Sequence, residues 1–135
     1  MMNPLHLLKP REVRWTLKAL DTAIWSSPGG LHDIREPISQ RCRSQILDAD
    51  RTCYSIRVDN HTPMSLAIML AIDATEEILL SGNLHAYRGV LSGHGQAAKK
   101  LLNHLYSLQL GEGRISEAEI ADRKIEISRE IASVG

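Results

Sequence analysis

The stretch AAKKLLNHLYSLQLGEGRISEAEIADRKIEISREIASV at residues 97–134 predicts two amphipathic helices joined by a short glycine-containing turn. In its first half, apolar side chains recur at helical spacing. They are Ala98, Leu101, Leu102, Leu105 and Leu108. Gly111 follows directly, as expected where a helix ends in a left-handed residue. Because a short connection favours antiparallel neighbours, the stretch predicts a C-terminal antiparallel helical hairpin over 96–134.

The second helix of this hairpin has a clear predicted start. Ser116 and Glu119 have the spacing of a capping box, in which each side chain accepts a hydrogen bond from the backbone amide of the other. Ile115 and Ile120 stand where a hydrophobic staple would fix the entry of the chain. We therefore expect the helix to begin just after Ser116.

A second strong helix signal lies in the middle of the chain. Thr62 is a good N-cap residue, and Pro63 suits the first helical position. From Met64 the sequence is apolar nearly all round for two turns, and Gly82 predicts the end of the helix. These features predict a central apolar helix over 63–81.

The remaining segments give weaker signals. Pro10 predicts a helix start, and the sequence SSPGG at 26–30 predicts its end. A helical stripe predicts a further helix over 37–51, and a short one is expected over 83–91. Alternating residues near 52–58 also leave open an α+β alternative, with a small β-hairpin near 41–58.

We therefore predict an all-α fold of about five helices in a single helical domain spanning 1–135, with 1–9 as a flexible arm. The chain has no Phe and only 4% aromatic residues, so Ile, Leu and Ala must supply the core. Such a composition suits packed helices better than a sheet sandwich.

The charge balance narrows the classes of function. Sixteen basic and sixteen acidic residues give a formal net charge of zero, whereas nucleic-acid-binding modules usually carry a basic excess. Near-zero charge also weakens self-repulsion and favours self-association. No apolar run approaches the roughly 20 residues that span a bilayer, and residues 1–8 are too short for a signal peptide. We expect no membrane partner, no nucleic acid and a cytoplasmic location.

Tryptophan and cysteine positions give two further expectations. Trp15 and Trp25 stand ten residues apart, and we expect them on different sides of a helix as core and interface residues. Cys42 and Cys53 do not pair in either a helical or a hairpin register. With no clustered histidines beside them, we expect neither a metal site nor a cofactor.

Most candidate functional residues lie in one segment, which precedes the helix predicted to begin at residue 96 and includes its first turn. It contains the candidate ligand-binding residues His85, Arg88, Gly93, His94, Gly95, Lys99 and Lys100. Glycines before a helix expose backbone N–H groups, and nearby cations would help to hold an anion there. The spacing matches neither a phosphate-binding loop nor a dinucleotide fingerprint. An ordinary helix break is the favoured structural interpretation of the glycines.

Three functional hypotheses follow. The first is a small helical protein that works by protein–protein association, as a homodimer or with another protein, with Ile120, Ile127 and Ile131 at the interface. The second is a module that binds an anionic or phosphate-bearing small ligand at the Gly93–Lys100 helix start. The third is an enzyme that uses His85, Arg88 and His94, although no catalytic motif supports it. The first is preferred because apolar helices are numerous and recognisable chemistry is lacking.

Overall fold

A computed structural model describes residues 10–27, 29, 34–47, 62–80 and 91–134 of the chain. Within these ranges all regular structure is helical, which confirms the predicted all-α class. The five helices are α1 (Pro10–Trp25), α2 (Arg35–Leu47), α3 (Pro63–Leu80), α4 (Leu91–Gly111) and α5 (Glu117–Val134). In the described part of the chain, no helix combines the length and apolarity needed to cross a membrane.

Side-chain hydrogen bonds fix the starts of two helices. Thr62 Oγ1 accepts from the amide of Ser65 at 3.1 Å, and Ser65 Oγ accepts from the amide of Thr62 at 2.8 Å. At α5, the amide of Glu119 donates to Ser116 Oγ at 3.1 Å, and that of Ser116 donates to Glu119 Oε1 at 3.2 Å. The capping box predicted for α5 is therefore confirmed, and α3 begins with a similar reciprocal pair.

The turn between α4 and α5 differs from the prediction at its glycines. Gly111 is the last helical residue of α4, and Gly113 is the residue with left-handed geometry, at φ 71°. The amide of Gly113 donates to the Leu110 carbonyl at 3.0 Å, and that of Arg114 donates to Gln109 at 3.1 Å. This pattern is a Schellman motif, which satisfies carbonyls that the helix end would leave free.

Two other helix boundaries also differ from expectation. Helix α2 already includes Arg35 and continues to Leu47, so a strand at 41–47 is excluded, while 48–58 lies outside the described residues. The short helix predicted over 83–91 also lies outside them, except for Leu91, which is the first residue of α4. Helix α4 begins at Leu91 rather than near Gln96, so its glycines do not break it. A glycine costs only about 1 kcal/mol in a helix interior, an amount that packing of the following apolar face offsets.

Helix α3 lies at the centre of the packing and contacts each of the other four helices. Its buried residues face neighbours on several sides, as the nearly all-round apolarity of the helix requires. The largest fully buried side chains come from all four of the first helices and the segment before α2. They are Thr16, Leu20, Ile24, Ile34, Ile38, Ile46, Leu66, Ile68, Leu101, Leu105 and Tyr106.

Helix α5 lies on the outside of this core. Ile72 of α3 shares one cleft with Gln109 and Ile115, whereas Leu79 shares another with Leu102 and Ile127. Helix α5 therefore runs alongside α3 and opposite in direction to α4. Among the α5 side chains described, over 117–130, Ile127 alone is buried. The helix adds little apolar burial, so polar contacts matter more for its attachment.

Candidate functional site

The predicted anion-binding segment falls only partly within the described residues. His85 and Arg88 lie outside them, and the same holds for the side chain of His94. Gly93 and Gly95 lie inside α4, and Lys99 and Lys100 are exposed on it. The structure therefore does not test whether His85, Arg88 and His94 converge, and the enzyme hypothesis stays a prediction.

The earlier start of α4 changes the physical basis of the anion site. Only the first four amides of a helix lack an intrahelical acceptor, and here they belong to residues 91–94. The amides of residues 95–100 have acceptors within α4, so in the predicted Gly93–Lys100 site only the amides of Gly93 and His94 lack an intrahelical acceptor. Any anion at Lys99 or Lys100 would have to be held by side chains.

The three predicted interface residues on α5 occupy different environments. Ile127 is only 5% exposed and belongs to the core, while Ile120 is half-buried at the core's edge. The side chain of Ile131 lies outside the described residues. The large apolar residue that α5 presents to solvent is instead Ile125, at 52% exposure. Ile127 therefore packs within the core of a single subunit.

Both tryptophans of the chain lie on the surface of α1. Trp15 is 53% exposed and Trp25 is 46% exposed. The expectation of a core position is therefore wrong for both tryptophans. The two tryptophans are ten residues apart, so their indoles differ by about 80° in direction around the helix axis. Both indoles therefore belong to one exposed surface of α1. We call this surface the Trp face. It consists of the exposed residues Arg11, Trp15, Lys18, Thr22 and Trp25.

Each indole of the Trp face has an arginine over its ring. The guanidinium of Arg11 lies 5.7 Å from the ring centroid of Trp15, and that of Arg35 lies 4.9 Å from the centroid of Trp25. Cation–π contacts of this kind contribute about 0.5–1 kcal/mol at exposed sites and restrict the rings. The Trp face therefore presents two large, oriented aromatic groups within a locally basic surface.

A buried polar cluster joins three helices on the other side of α3. Glu76 of α3 is only 7% exposed. Its carboxylate accepts hydrogen bonds from Nε and Nη2 of Arg123 on α5 and from the hydroxyl of Tyr106 on α4. Arg123 also donates to Glu126 at 3.0 Å. The cluster satisfies a buried carboxylate and fixes α5 to α3 and α4.

This environment shifts the titration of its members. Burial raises the pKa of Tyr106, and the hydrogen bond to Glu76 raises it further. Hydrogen bonding to Glu76 raises the pKa of Arg123, against the effect of burial. Burial and the nearby charge of Glu76 raise the pKa of Asp73, which lines a cleft of about 290 Å³ together with Glu76, Tyr106 and Arg123. Tyr106 and Arg123 thus remain protonated donors throughout the physiological range.

The polar cluster has a structural role, because it attaches α5 to α3 and α4. Each strong donor is already committed to Glu76, which leaves no unengaged acid–base pair among them. Over the described ranges, no three His, Cys, Asp or Glu side chains come together in a way that could hold a metal ion. Sequence reasoning did not find this cluster, although the acidic residues in the apolar helix α3 were a signal that one of them needed a partner.

Cys42 has no accessible chemistry either. It is fully buried in α2 as a free cysteine, and burial raises its pKa from 9.0 to about 12. Since the thiolate is the reactive form, Cys42 acts as a small apolar core residue.

Lys99 opens onto a cleft of about 200 Å³ between α3, α4 and α5, which we call the lysine cleft. Its lining residues are Leu79, Lys99, Leu102, Asn103, Lys124, Ile127 and Ser128. Lys100 does not line the cleft. Of the two lysines predicted to hold an anion, the structure therefore places one beside an apolar depression.

Comparison of the chain with protein-family models, with curated proteins and with solved structures finds no match.

Proposed function

We propose that this protein works by protein–protein association as a homodimer, with the Trp face of α1 as its contact surface. The observation that carries the proposal is the exposure of Trp15 and Trp25, at 53% and 46%, in a chain that has two tryptophans and no Phe. Tryptophan and arginine are the residue types most enriched among those that dominate binding energy at protein interfaces.

In the proposed dimer, two α1 helices pack against each other around a two-fold axis and cover the Trp face of each subunit. If the helices run antiparallel and the axis lies at the level of Leu20, Trp15 of one subunit lies opposite the partner's Trp25. Lys18 then lies opposite the partner's Thr22 and next to the partner's Asp21. This pairing brings indoles together and places opposite charges near each other, as an isologous interface requires.

The small exposed aromatic area is consistent with a weak dimer, which would dissociate on dilution. At 53% and 46% exposure, the two indoles leave roughly 200–250 Å² per subunit to be covered. A standard interface buries about 800 Å² per partner, so neighbouring residues of α1 must contribute the remainder. The zero net charge of the chain imposes no overall repulsion on two copies.

Intrinsic fluorescence tests the Trp face directly, because both tryptophans lie on it. Across a protein dilution series, we expect the emission maximum to shift to the blue and iodide quenching to fall as concentration rises. The variant Thr22→Arg places a bulky charge in the middle of the Trp face and should abolish both changes.

The matched control is Ala121→Arg, which adds the same side chain at an exposed position of α5. It should behave like the unsubstituted protein. Emission and quenching that do not change with concentration in the unsubstituted protein, or that change equally in Thr22→Arg, would contradict dimerisation through the Trp face.

A further inference from the structure

The lysine cleft has an apolar floor built by three different helices. Leu79 of α3, Leu102 of α4 and Ile127 of α5 are 4%, 4% and 5% exposed, yet each contributes to the lining. The cleft of about 200 Å³ has the volume of about seven water molecules, at about 30 Å³ each. A short alkyl chain fits such a space.

The rim of the cleft has a single sign of charge. Lys99 and Lys124 reach it from α4 and α5, and no acidic residue is part of the lining. Neither lysine forms an ion pair with any described residue, whereas Arg123 on the same helix as Lys124 pairs with both Glu76 and Glu126. Two ammonium groups beside a low-dielectric floor attract an anion more strongly than either would in open solvent.

Two further polar groups stand at the same rim. The side chains of Asn103 and Ser128 line the cleft and make no hydrogen bond to the described part of the chain. An amide and a hydroxyl can donate to an acidic group held between the lysines. The cleft therefore combines an apolar floor with unengaged donors, which is the general form of a small-ligand site.

We propose that the lysine cleft binds a small amphipathic anion. Its short alkyl chain lies on Leu79, Leu102 and Ile127, and its single acidic group lies between Lys99 and Lys124. The site is distinct from the Trp face and does not depend on dimerisation. In this site the side chain of Lys99 contacts the anion, whereas the sequence predicted that backbone amides at a helix start would hold it.

Hexanoate is the probe that tests this proposal, with hexanol and acetate as partial probes. Hexanol has the alkyl chain without the charge, and acetate has the charge without the chain. In titrations of the full chain followed by amide NMR, we expect saturable shifts at the cleft with hexanoate. Both partial probes should bind at least about fivefold more weakly.

Two variants test which lysine charges contribute to hexanoate binding. The double variant Lys99→Gln/Lys124→Gln should weaken hexanoate binding by about tenfold and leave the weak binding of hexanol unchanged. Lys100→Gln removes a neighbouring exposed charge outside the cleft and should bind hexanoate as the unsubstituted protein does. Helical circular dichroism of each variant verifies that it is folded.

Three results would overturn the proposal. One is the absence of saturable hexanoate binding at low-millimolar concentration. Another is equal binding of hexanoate and hexanol, which would show that charge contributes nothing. The third is an equal loss of binding in Lys100→Gln and the double variant, which would indicate general electrostatic attraction. Light scattering of the same samples should give the same mass with and without hexanoate, because the proposed dimer forms through the Trp face and not through the cleft.

Discussion

Arg123 of α5 holds the buried carboxylate of Glu76 on α3 through both Nε and Nη2, across 47 positions of sequence. Since Ile127 is the one buried side chain among residues 117–130, this ion pair accounts for much of the attachment of α5. An outer helix with little apolar burial is thereby tied to the central helix.

Loss of the Arg123 guanidinium should destabilise the protein strongly. Arg123→Ala leaves Glu76 buried without its cation, and removal of one partner from a buried pair costs about 3–5 kcal/mol. Because Arg123 is partly exposed, we expect a loss of about 2–3 kcal/mol in the free energy of unfolding. Urea denaturation measures this loss.

Arg129 supplies the control for this variant. It is exposed on the same helix, and Arg129→Ala should change the unfolding free energy by less than about 0.5 kcal/mol. Equal effects of the two substitutions would show that the bond to Glu76 contributes no stability.

Asp73 should make stability depend on pH in a defined direction. Burial and Glu76 raise its pKa in the folded state, so the folded protein binds more protons than the unfolded chain between pH 3.8 and the folded-state pKa. Its contribution therefore becomes less favourable as pH rises through the folded-state pKa. Asp73→Asn should stabilise the protein at pH 7 by under about 1 kcal/mol, because Asp73 retains solvent access.

The same variant should give no gain at pH 3, where the carboxyl group is protonated in both states. Thermal unfolding at the two pH values measures the difference. An equal gain at pH 3 and pH 7 would assign the effect to packing or hydrogen bonding rather than to charge.

The two glycines of the α4–α5 turn should respond oppositely to alanine. Gly113 has φ 71°, a left-handed geometry that costs an alanine about 1 kcal/mol or more. Gly111 lies in the last turn of α4, where alanine is a better helix former by up to about 1 kcal/mol. Neither added methyl group meets a neighbour within 4 Å, so the contrast isolates backbone conformation.

Chemical denaturation should therefore show that Gly113→Ala is destabilised and that Gly111→Ala is neutral or stabilised. The reverse order would mean that the Schellman motif is not formed as described.

Two isoleucines on α5 should differ sharply in their contribution to stability. Ile127→Ala removes a buried side chain beside the lysine cleft and should cost about 2–4 kcal/mol. Ile125→Ala alters a side chain that is 52% exposed and should stay within about 0.5 kcal/mol. A similar loss in both variants, measured by urea denaturation, would place α5 in a different rotation on the core.

Local sequence signals predicted the parts of the fold that depend on near neighbours. The Ser116–Glu119 capping box is such a feature, because both residues lie within one helical turn and need no tertiary partner. The helical class was also predictable, since apolar residues recur at helical spacing in the amphipathic helices and α3 is apolar nearly all round. The start of α4 was not, because tertiary packing of the following face outweighs the low helix propensity of Gly93 and Gly95.

The candidate sites were less predictable because they depend on contacts between distant residues. The pairing of Glu76 with Arg123 and the meeting of Lys99 with Lys124 each join different helices, and no local pattern encodes them. The expected burial of tryptophan was wrong for a different reason. Position along a helix gives the angle between Trp15 and Trp25, but only the packing of α1 decides which side faces solvent.

The proposed association of two copies through the Trp face predicts a mass that depends on concentration. Light scattering on a size-exclusion column, across a dilution series, measures that mass. We predict a mass near twice the chain's 15.0 kDa at high concentration, which falls towards 15.0 kDa on dilution. The variant Thr22→Arg should stay at the lower mass throughout. A mass of 15.0 kDa at every concentration of the unsubstituted protein would rule out a dimer.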